Sequence, residues 1–126
     1  MSIRRRSELK PCRWVGSSQK DMRAFPDAVK KDMGTALMYA QGGGRAENVK
    51  TLSGMGTGVL EVVDDHDGDT YRCVYLLRLK GVVYVLQPKK ISKSGIKTPP
   101  KDKELIKSRI KLAEKDYEEF KKGIGK

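Results

Sequence analysis

The sequence predicts an α+β domain in which helices pack on one face of a small antiparallel sheet. Apolar residues recur at spacings of three and four over residues 26–41 and 101–122, which is typical of amphipathic helices. Three short runs rich in β-branched and aromatic residues lie between them, separated by turn residues, as expected of an antiparallel meander. The 126 residues suit one compact domain, to which we assign the whole chain, 1–126.

The N-terminal part should form an arm, one strand and two helices. Residues 1–11 are expected to be a disordered basic arm, because they are charged and lack the apolar stretch of a signal peptide. A short strand at 13–15 ends at Gly16 and should join an edge of the sheet. A short helix follows the Ser17-Ser18 cap, and Pro26 suits the first turn of the next helix. The apolar stripe of that second helix is Val29, Met33, Ala36, Leu37 and Ala40.

The middle of the chain predicts the sheet. Residues 45–57 are polar and Gly-containing, so we expect an irregular connection there. Strands are predicted at 59–63, 71–77 and 82–86, with Asp67-Gly68 as the hairpin signal. The third strand is almost entirely apolar and should be central, and Pro88 is expected to end it. A basic loop at 88–100 then leads to the last helix.

The charge of the chain limits its partners. It has 27 Lys plus Arg against 16 Asp plus Glu, a net charge of +11. Such a field concentrates polyanions, and nucleic acid or the ribosome is the favoured class, although an acidic protein or a membrane surface would also fit. No apolar run approaches the length of a transmembrane helix. The two cysteines, Cys12 and Cys73, have no metal or redox spacing, so reduced thiols and a cytoplasmic location are expected.

One acidic cluster is the only candidate metal site, and it is a weak one. It resembles a calcium loop, but no Glu stands five residues after Gly68, so a solvated hairpin turn is favoured and no metal or cofactor is predicted. A single His also excludes catalysis by a pair of histidines. The cluster comprises Asp64, Asp65, His66, Asp67 and Asp69.

A basic constellation is the better candidate for chemistry. If its members converge at one end of the sheet, they could bind RNA phosphates and stabilise charge developing on phosphorus. Crowded cations also make one Lys easier to deprotonate, so that it could act as acid or base. Composition alone favours ordinary surface lysines instead. The constellation comprises Arg13, Lys50, Tyr71, Arg72, Lys89, Lys90 and Lys93.

The order of short motifs over residues 12–115 resembles the HigB-type branch of the RelE/ParE toxin superfamily, a branch often described as phage-derived. No single block is decisive, but their order and spacing together are specific. The blocks are Trp14-Val15-Gly16-Ser17-Ser18, Phe25-Pro26, Gln41-Gly42-Gly43, Lys50-Thr51-Leu52-Ser53-Gly54, Val59-Leu60-Glu61-Val62, Thr70-Tyr71-Arg72-Cys73-Val74-Tyr75, Val83-Tyr84-Val85-Leu86, Lys93-Ser94-Gly95-Ile96-Lys97-Thr98-Pro99, and Asp102, Ile106 and Ala113.

This resemblance implies a microbial RNase fold and a toxin silenced by a helix-turn-helix antitoxin. It implies a metal-independent endoribonuclease that cleaves messenger RNA, usually on the ribosome, by attack of a 2′-hydroxyl on the adjacent phosphate. Arg72 would bind phosphate and stabilise the transition state, while Lys89 and Lys90 would bind substrate or act as acid and base. Lys50 would hold the RNA backbone, and Glu61 would orient Arg72 or form a structural ion pair.

Residues 86–92 depart from the family pattern. The stretch Leu86-Gln87-Pro88-Lys89-Lys90-Ile91-Ser92 is one residue shorter than usual and lacks the family's Phe. The departure affects where the side chains of Lys89 and Lys90 point, and with it whether the protein is fully active. Two alternatives therefore stay open, namely an inactive derivative that binds RNA or the ribosome, and one that binds only a protein partner.

Overall fold

The computed structural model describes residues 9–92 and 98–124, which form five strands and three helices. The strands form one sheet in the order β1-β5-β4-β3-β2, in which β1 runs parallel to β5 and every other pair is antiparallel. The predicted α+β class is confirmed, but the expectation of a wholly antiparallel sheet was wrong for β1. The elements are β1 Cys12–Trp14, α1 Ser18–Arg23, α2 Asp27–Gln41, β2 Val49–Thr51, β3 Val59–His66, β4 Asp69–Leu76, β5 Val83–Ile91 and α3 Pro100–Ile124.

Helices cover both faces of the sheet, which corrects the prediction of one covered face. Residues of α1 and α2, such as Met22 and Val29, pack with Tyr75 on one face. Ile106 of α3 packs with Val74 on the other. The physical reason is that β4 and β5 are buried on both sides, and such strands read as continuous apolar runs rather than as alternating ones.

Two strand predictions needed correction at their boundaries. The hairpin turn does lie at Asp67-Gly68, whose φ angles of 48° and 81° suit a tight two-residue turn, but β3 and β4 extend right up to it. The predicted connection at 45–57 contains β2, in which Val49 pairs with Val62. A strand of three residues, with only its first side chain buried, leaves little periodic signal.

Pro88 does not end the third strand of the meander, because β5 runs through it to Ile91. Pro88 pairs with Cys73 on β4, whereas β1 reaches only as far as Val85 on the other side. Beyond Val85, β5 therefore has no neighbouring strand on that side among the residues described. An edge position of this kind tolerates the missing N–H of proline.

Lys10, which the sequence predicts to lie in the disordered arm, is hydrogen-bonded to the end of α2. The Lys10 N–H donates to the Gln41 carbonyl at 3.0 Å, and Gln41 Nε2 donates back to the Lys10 carbonyl at 2.7 Å. These bonds fasten the segment before β1 to the end of α2. Residues 1–8 and 93–97 lie outside the described residues, and with them the rest of the predicted arm and the predicted site residue Lys93. None of the described helices combines the length and hydrophobicity needed to cross a lipid bilayer.

Candidate nucleic-acid interface

An open groove of about 1010 Å³ runs along the uncovered edge of β5. It is bounded by the end of α1 and the segment after it on one side, and by the first turns of α3 on the other. Its floor is the end of β5, where β1 no longer provides a neighbour. The residues that line it include Tyr71, Gln87, Lys89, Lys90, Asp102 and Arg109.

Arg72 lies on β4 beneath the start of α3 and is only 3% exposed. Its Nη1 donates to Thr98 Oγ1 at 3.1 Å, and its Nη2 donates to Gln87 Oε1 at 2.8 Å and to Asp102 Oδ2 at 3.4 Å. Its Nε is also buried but has no hydrogen-bond partner in the part of the chain that the structure describes. The guanidinium is thus held in one position while one of its donors stays unsatisfied.

Lys89 and Arg72 converge on the same carboxylate. They are cross-strand partners on β5 and β4, so their side chains share the α3 face of the sheet. Lys89 Nζ donates to Asp102 Oδ1 at 2.6 Å, a length typical of a strong charge-assisted bond. Asp102 is 5% exposed, whereas the Lys89 side chain is 45% exposed. Two cations and one anion therefore form a cluster of net positive charge at the groove.

A β-bulge directs Lys89 to that face. The β4–β5 register pairs Val74 with Gln87 but Tyr75 with Val85, so Leu86 is an extra residue on β5. A bulge reverses which residues of the following segment face each side, and bulges often re-aim side chains next to functional sites. Without it, strict alternation would turn Gln87 and Lys89 away from Arg72.

Tyr71 and Lys90 lie on the opposite face from Arg72 and Lys89. They are cross-strand partners, and the Tyr71 ring packs edge-to-face on Phe25 at 5.0 Å between centroids. Lys90 Nζ lies 3.3 Å from Asp69 Oδ2, and both side chains are well exposed. The two lysines predicted to act together therefore bound the same groove from different sides of the sheet.

Arg109 ties the groove together from α3. Its Nη1 donates to the carbonyl of the bulged Leu86 at 2.6 Å, and its Nη2 donates to Ser17 Oγ at 2.9 Å. Gly16 allows this approach, since it has a φ of 56° and a Cβ there would lie 3.1 Å from Arg109 Nε. One guanidinium thus links α3, the bulge and the start of α1.

Arg13 lies outside the groove. Its Nε and Nη2 donate to the two carboxylate oxygens of Asp116 at 2.6 and 3.0 Å, and its guanidinium lies 5.5 Å from the Phe120 ring centroid. The hydrogen bonds from Arg13 lower the pKa of Asp116. Arg13 pairs with Tyr84, five residues before Lys89 on β5, which places it about 16 Å from the Arg72–Lys89 pair. Its contacts are those of an anchor for the last turns of α3.

Lys50 on β2 and Glu61 on β3 are neighbours in the strand register, and neither contacts Arg72 through a hydrogen bond or ion pair. No hydrogen bond or ion pair links Glu61 to Arg72, whose described carboxylate partner is Asp102. The suggested orienting role of Glu61 thus has no geometric basis here, and Asp102 occupies that position. Lys50 is exposed on the α3 side of the sheet, two strands and roughly 10 Å from β4.

The acidic cluster belongs to the β3–β4 hairpin. Asp65 accepts a hydrogen bond from Thr70 at 2.6 Å, and His66 Nε2 lies 3.4 Å from Asp67 Oδ2. Burial raises the pKa of Asp64 to about 6, and its hydrogen bond and like charge with Asp32 add to the effect. Among the described residues, no group of three or more His, Cys, Asp or Glu side chains is arranged to hold a metal ion.

Both cysteines are free thiols. Burial raises the pKa of Cys12 to about 11 and also raises the pKa of the fully buried Cys73. Neither is therefore activated as a thiolate.

Asp102 and Arg109 were not identified as site residues from the sequence, although their positions in the apolar stripe of α3 could have indicated them. They lie on the same side of α3 as Ile106 and Ala113, at spacings of three and four. Charged residues within the apolar stripe of an amphipathic helix must be paired when the stripe is buried. Gln87 and Thr98, which accept hydrogen bonds from Arg72, carry no comparable signal, because their roles depend on the bulge and on the approach of α3.

Comparison with known proteins gives a family and a fold. Residues 20–111 match the model of the family described as phage derived protein Gp49-like (DUF891). The chain is also similar to the structure of a mutant of the E. coli toxin RelE in the free state, with a TM-score of 0.56 and 21% identity over 82% of this chain and 97% of that one. No curated protein matches. The fold is therefore RelE-like, as the sequence predicted.

Proposed function

Because the chain belongs to the phage-derived Gp49-like family, we propose that it is the toxin of a type II toxin–antitoxin system and acts as a messenger RNA endoribonuclease. The observation that carries this proposal is the convergence of Arg72 and Lys89 at the groove of a RelE-like fold. The net charge of +11 supports a polyanionic substrate. The motif order supports the HigB-type branch.

The proposed reaction uses Lys89, which lines the groove, and Arg72, which is buried beside it. A 2′-hydroxyl gives its proton to a base and attacks the adjacent phosphorus, and the 5′-oxygen leaves with a proton, which produces a cyclic phosphate and a 5′-hydroxyl. Lys89, the more exposed cation, would hold or transfer a proton. Arg72 would stabilise the negative charge that develops on the phosphate oxygens.

Other predicted residues have supporting roles in this proposal. Lys90 and Tyr71 line the opposite side of the groove and would contact the RNA backbone there. Lys50 would contact backbone farther along the sheet. The ribosome as the site of cleavage, and a helix-turn-helix antitoxin as the inhibitor, follow from the resemblance and are proposed on that ground.

A second candidate is a protein of the same fold that binds RNA or the ribosome without cutting it. The observation in its favour is the burial of Arg72, whose exposed fraction is 3% and whose donors face Thr98, Gln87 and Asp102. In this arrangement an external phosphate does not reach the guanidinium. Binding without scission would weaken steeply with salt.

The decisive experiment is induced expression in a bacterium, with wild type beside Arg72→Ala, growth followed and messenger RNA 5′ ends mapped. Growth arrest with new codon-positioned ends, both lost in a variant that still folds, would support the RNase. Normal growth and intact messenger RNA with folded, well-expressed wild type would refute the RNase and favour the binding-only protein.

A further inference from the structure

The Asp102 carboxylate lies where the two cations of the groove meet. Lys89 Nζ is 2.6 Å from one of its oxygens and Arg72 Nη2 is 3.4 Å from the other. The carboxylate is 5% exposed and comes from the first turn of α3. It therefore covers Arg72 on the side that faces α3.

The carboxylate does not satisfy the guanidinium that it covers. The 3.4 Å separation from Arg72 Nη2 is longer than the 2.7–2.9 Å of a good charge-assisted bond. Arg72 Nε is buried and has no acceptor among the described residues. A buried donor without a partner costs free energy and marks a position that another acceptor could fill. A phosphodiester presents two non-bridging oxygens on a tetrahedral phosphorus, so one oxygen could accept from Arg72 Nε and Nη2 while the other accepts from Lys89.

We propose that Asp102 is an internal substitute for a phosphate, and that a phosphodiester of RNA must displace it to reach Arg72 and Lys89. The proposal deepens the proposed function, on which it rests for the identity of the ligand. Both groups carry one negative charge, so the exchange leaves the charge of the cluster unchanged. The first turn of α3 has to move for the exchange, and the protein described here is the closed form.

A competing explanation, in which Asp102 only positions the two cations, predicts the opposite effect of neutralising Asp102 on the affinity for RNA. If the carboxylate merely positioned Arg72 and Lys89 for the substrate, its neutralisation would weaken binding or leave it unchanged. If it competes with phosphate, neutralisation removes the competitor and binding becomes tighter. The sign of the change in affinity therefore separates the two.

The test uses a fluorescent 2′-O-methyl RNA hexamer, which this chemistry cannot cleave, with wild type, Asp102→Asn and a matched control, Glu118→Gln. Glu118 is exposed on α3 away from the groove, and its substitution changes the net charge equally. We expect Asp102→Asn to bind roughly tenfold more tightly than wild type, and the control to change affinity by less than about twofold. Equal or weaker binding by folded Asp102→Asn would overturn the proposal.

A second measurement does not depend on RNA. Inorganic phosphate is titrated into the three proteins while the Arg72 Nε–H resonance is followed by NMR, and a saturable shift that is stronger in Asp102→Asn is expected. If Asp102→Asn does not fold, Asp102→Ser replaces it, and failure of both to fold would contradict a displaceable carboxylate. Tighter phosphate binding without any cleavage by wild type would uphold the anion site and reject the RNase, whereas cleavage without the gain in affinity would do the reverse.

Discussion

Lys89 and Lys90 are adjacent in the chain but face opposite sides of the sheet, with Lys89 bonded to Asp102 of α3 and Lys90 paired with Asp69 of β4. Only Lys89 shares a face with Arg72. The two adjacent lysines near the end of β5 thus have different surroundings, and they should respond differently to substitution.

Lys89→Met is expected to lower the rate of RNA cleavage by roughly a hundredfold or more, because a positioned acid or base contributes about 10² to 10⁴ in rate. The measurement is single-turnover cleavage of messenger RNA on purified ribosomes. Lys111→Met, an exposed lysine of α3 outside the groove, is the matched control and should cleave like wild type. A Lys89→Met protein with wild-type rates would remove Lys89 from the chemistry.

Lys90→Met should weaken RNA binding more than it slows the chemical step, since its ammonium is exposed and lies on the other face from Arg72. The dependence of log K on log salt for a non-cleavable RNA should become shallower by about 0.7, the contribution of one phosphate contact on a single strand. An unchanged salt dependence, or a loss of rate at saturating RNA as large as for Lys89→Met, would argue against this division.

Gln87→Leu is expected to destabilise the protein by about 1–3 kcal/mol, because Arg72 Nη2 loses its 2.8 Å acceptor next to an Nε that already has none. The free energy of unfolding is measured by urea denaturation. Gln19→Leu introduces the same change on the exposed side of α1 and should stay within about 0.5 kcal/mol. Equal stabilities of the two variants would show that the bond to Gln87 contributes nothing.

Asp64→Asn should stabilise the protein near neutral pH. The folded-state pKa of Asp64 is raised to about 6, above its unfolded value of 3.8, so the folded chain holds a proton that the unfolded chain has lost. The contribution of Asp64 to the free energy of unfolding is fully present below pH 3.8 and is lost as pH rises through 6. Asp64→Asn should abolish this loss, which is on the order of 1 kcal/mol after solvent screening.

The control for that prediction is Asp67→Asn, which removes an exposed charge in the same hairpin and keeps a residue suited to its φ of 48°. Urea unfolding of the three proteins between pH 4 and 7 gives the comparison. Parallel pH profiles for wild type and Asp64→Asn would refute the shifted pKa.

Two glycine-to-alanine substitutions should change the free energy of unfolding in opposite directions. Gly58→Ala is expected to cost about 1–3 kcal/mol, since Gly58 has a φ of 74° and a Cβ there would lie 2.8 Å from the Arg78 backbone nitrogen. Gly34→Ala should stabilise by about 0.5–1 kcal/mol, because Gly34 lies within α2 and a Cβ there meets nothing within 4 Å. Thermal unfolding measures both, and a stabilising Gly58→Ala would contradict the close approach of Arg78.

The sequence by itself determined the elements whose signals are local. The stripe from Val29 to Ala40 placed α2, and Asp67-Gly68 placed the hairpin, because helical periodicity and left-handed turn preferences depend on near neighbours. Residue type and motif order also selected Arg72 and Lys89 as candidate phosphate ligands, and the structure brings the two side chains together.

Only the tertiary structure decided which of these residues meet. The bulge at Leu86 turns Lys89 toward Arg72. The approach of α3 then brings Asp102 to both of them, although it follows Lys89 by 13 positions and Arg72 by 30. A bulge depends on how two strands pair, and the place of a charged helical residue depends on which face of the sheet the helix covers. Neither is encoded in a local pattern, so the sequence named the cations but not the carboxylate that holds them.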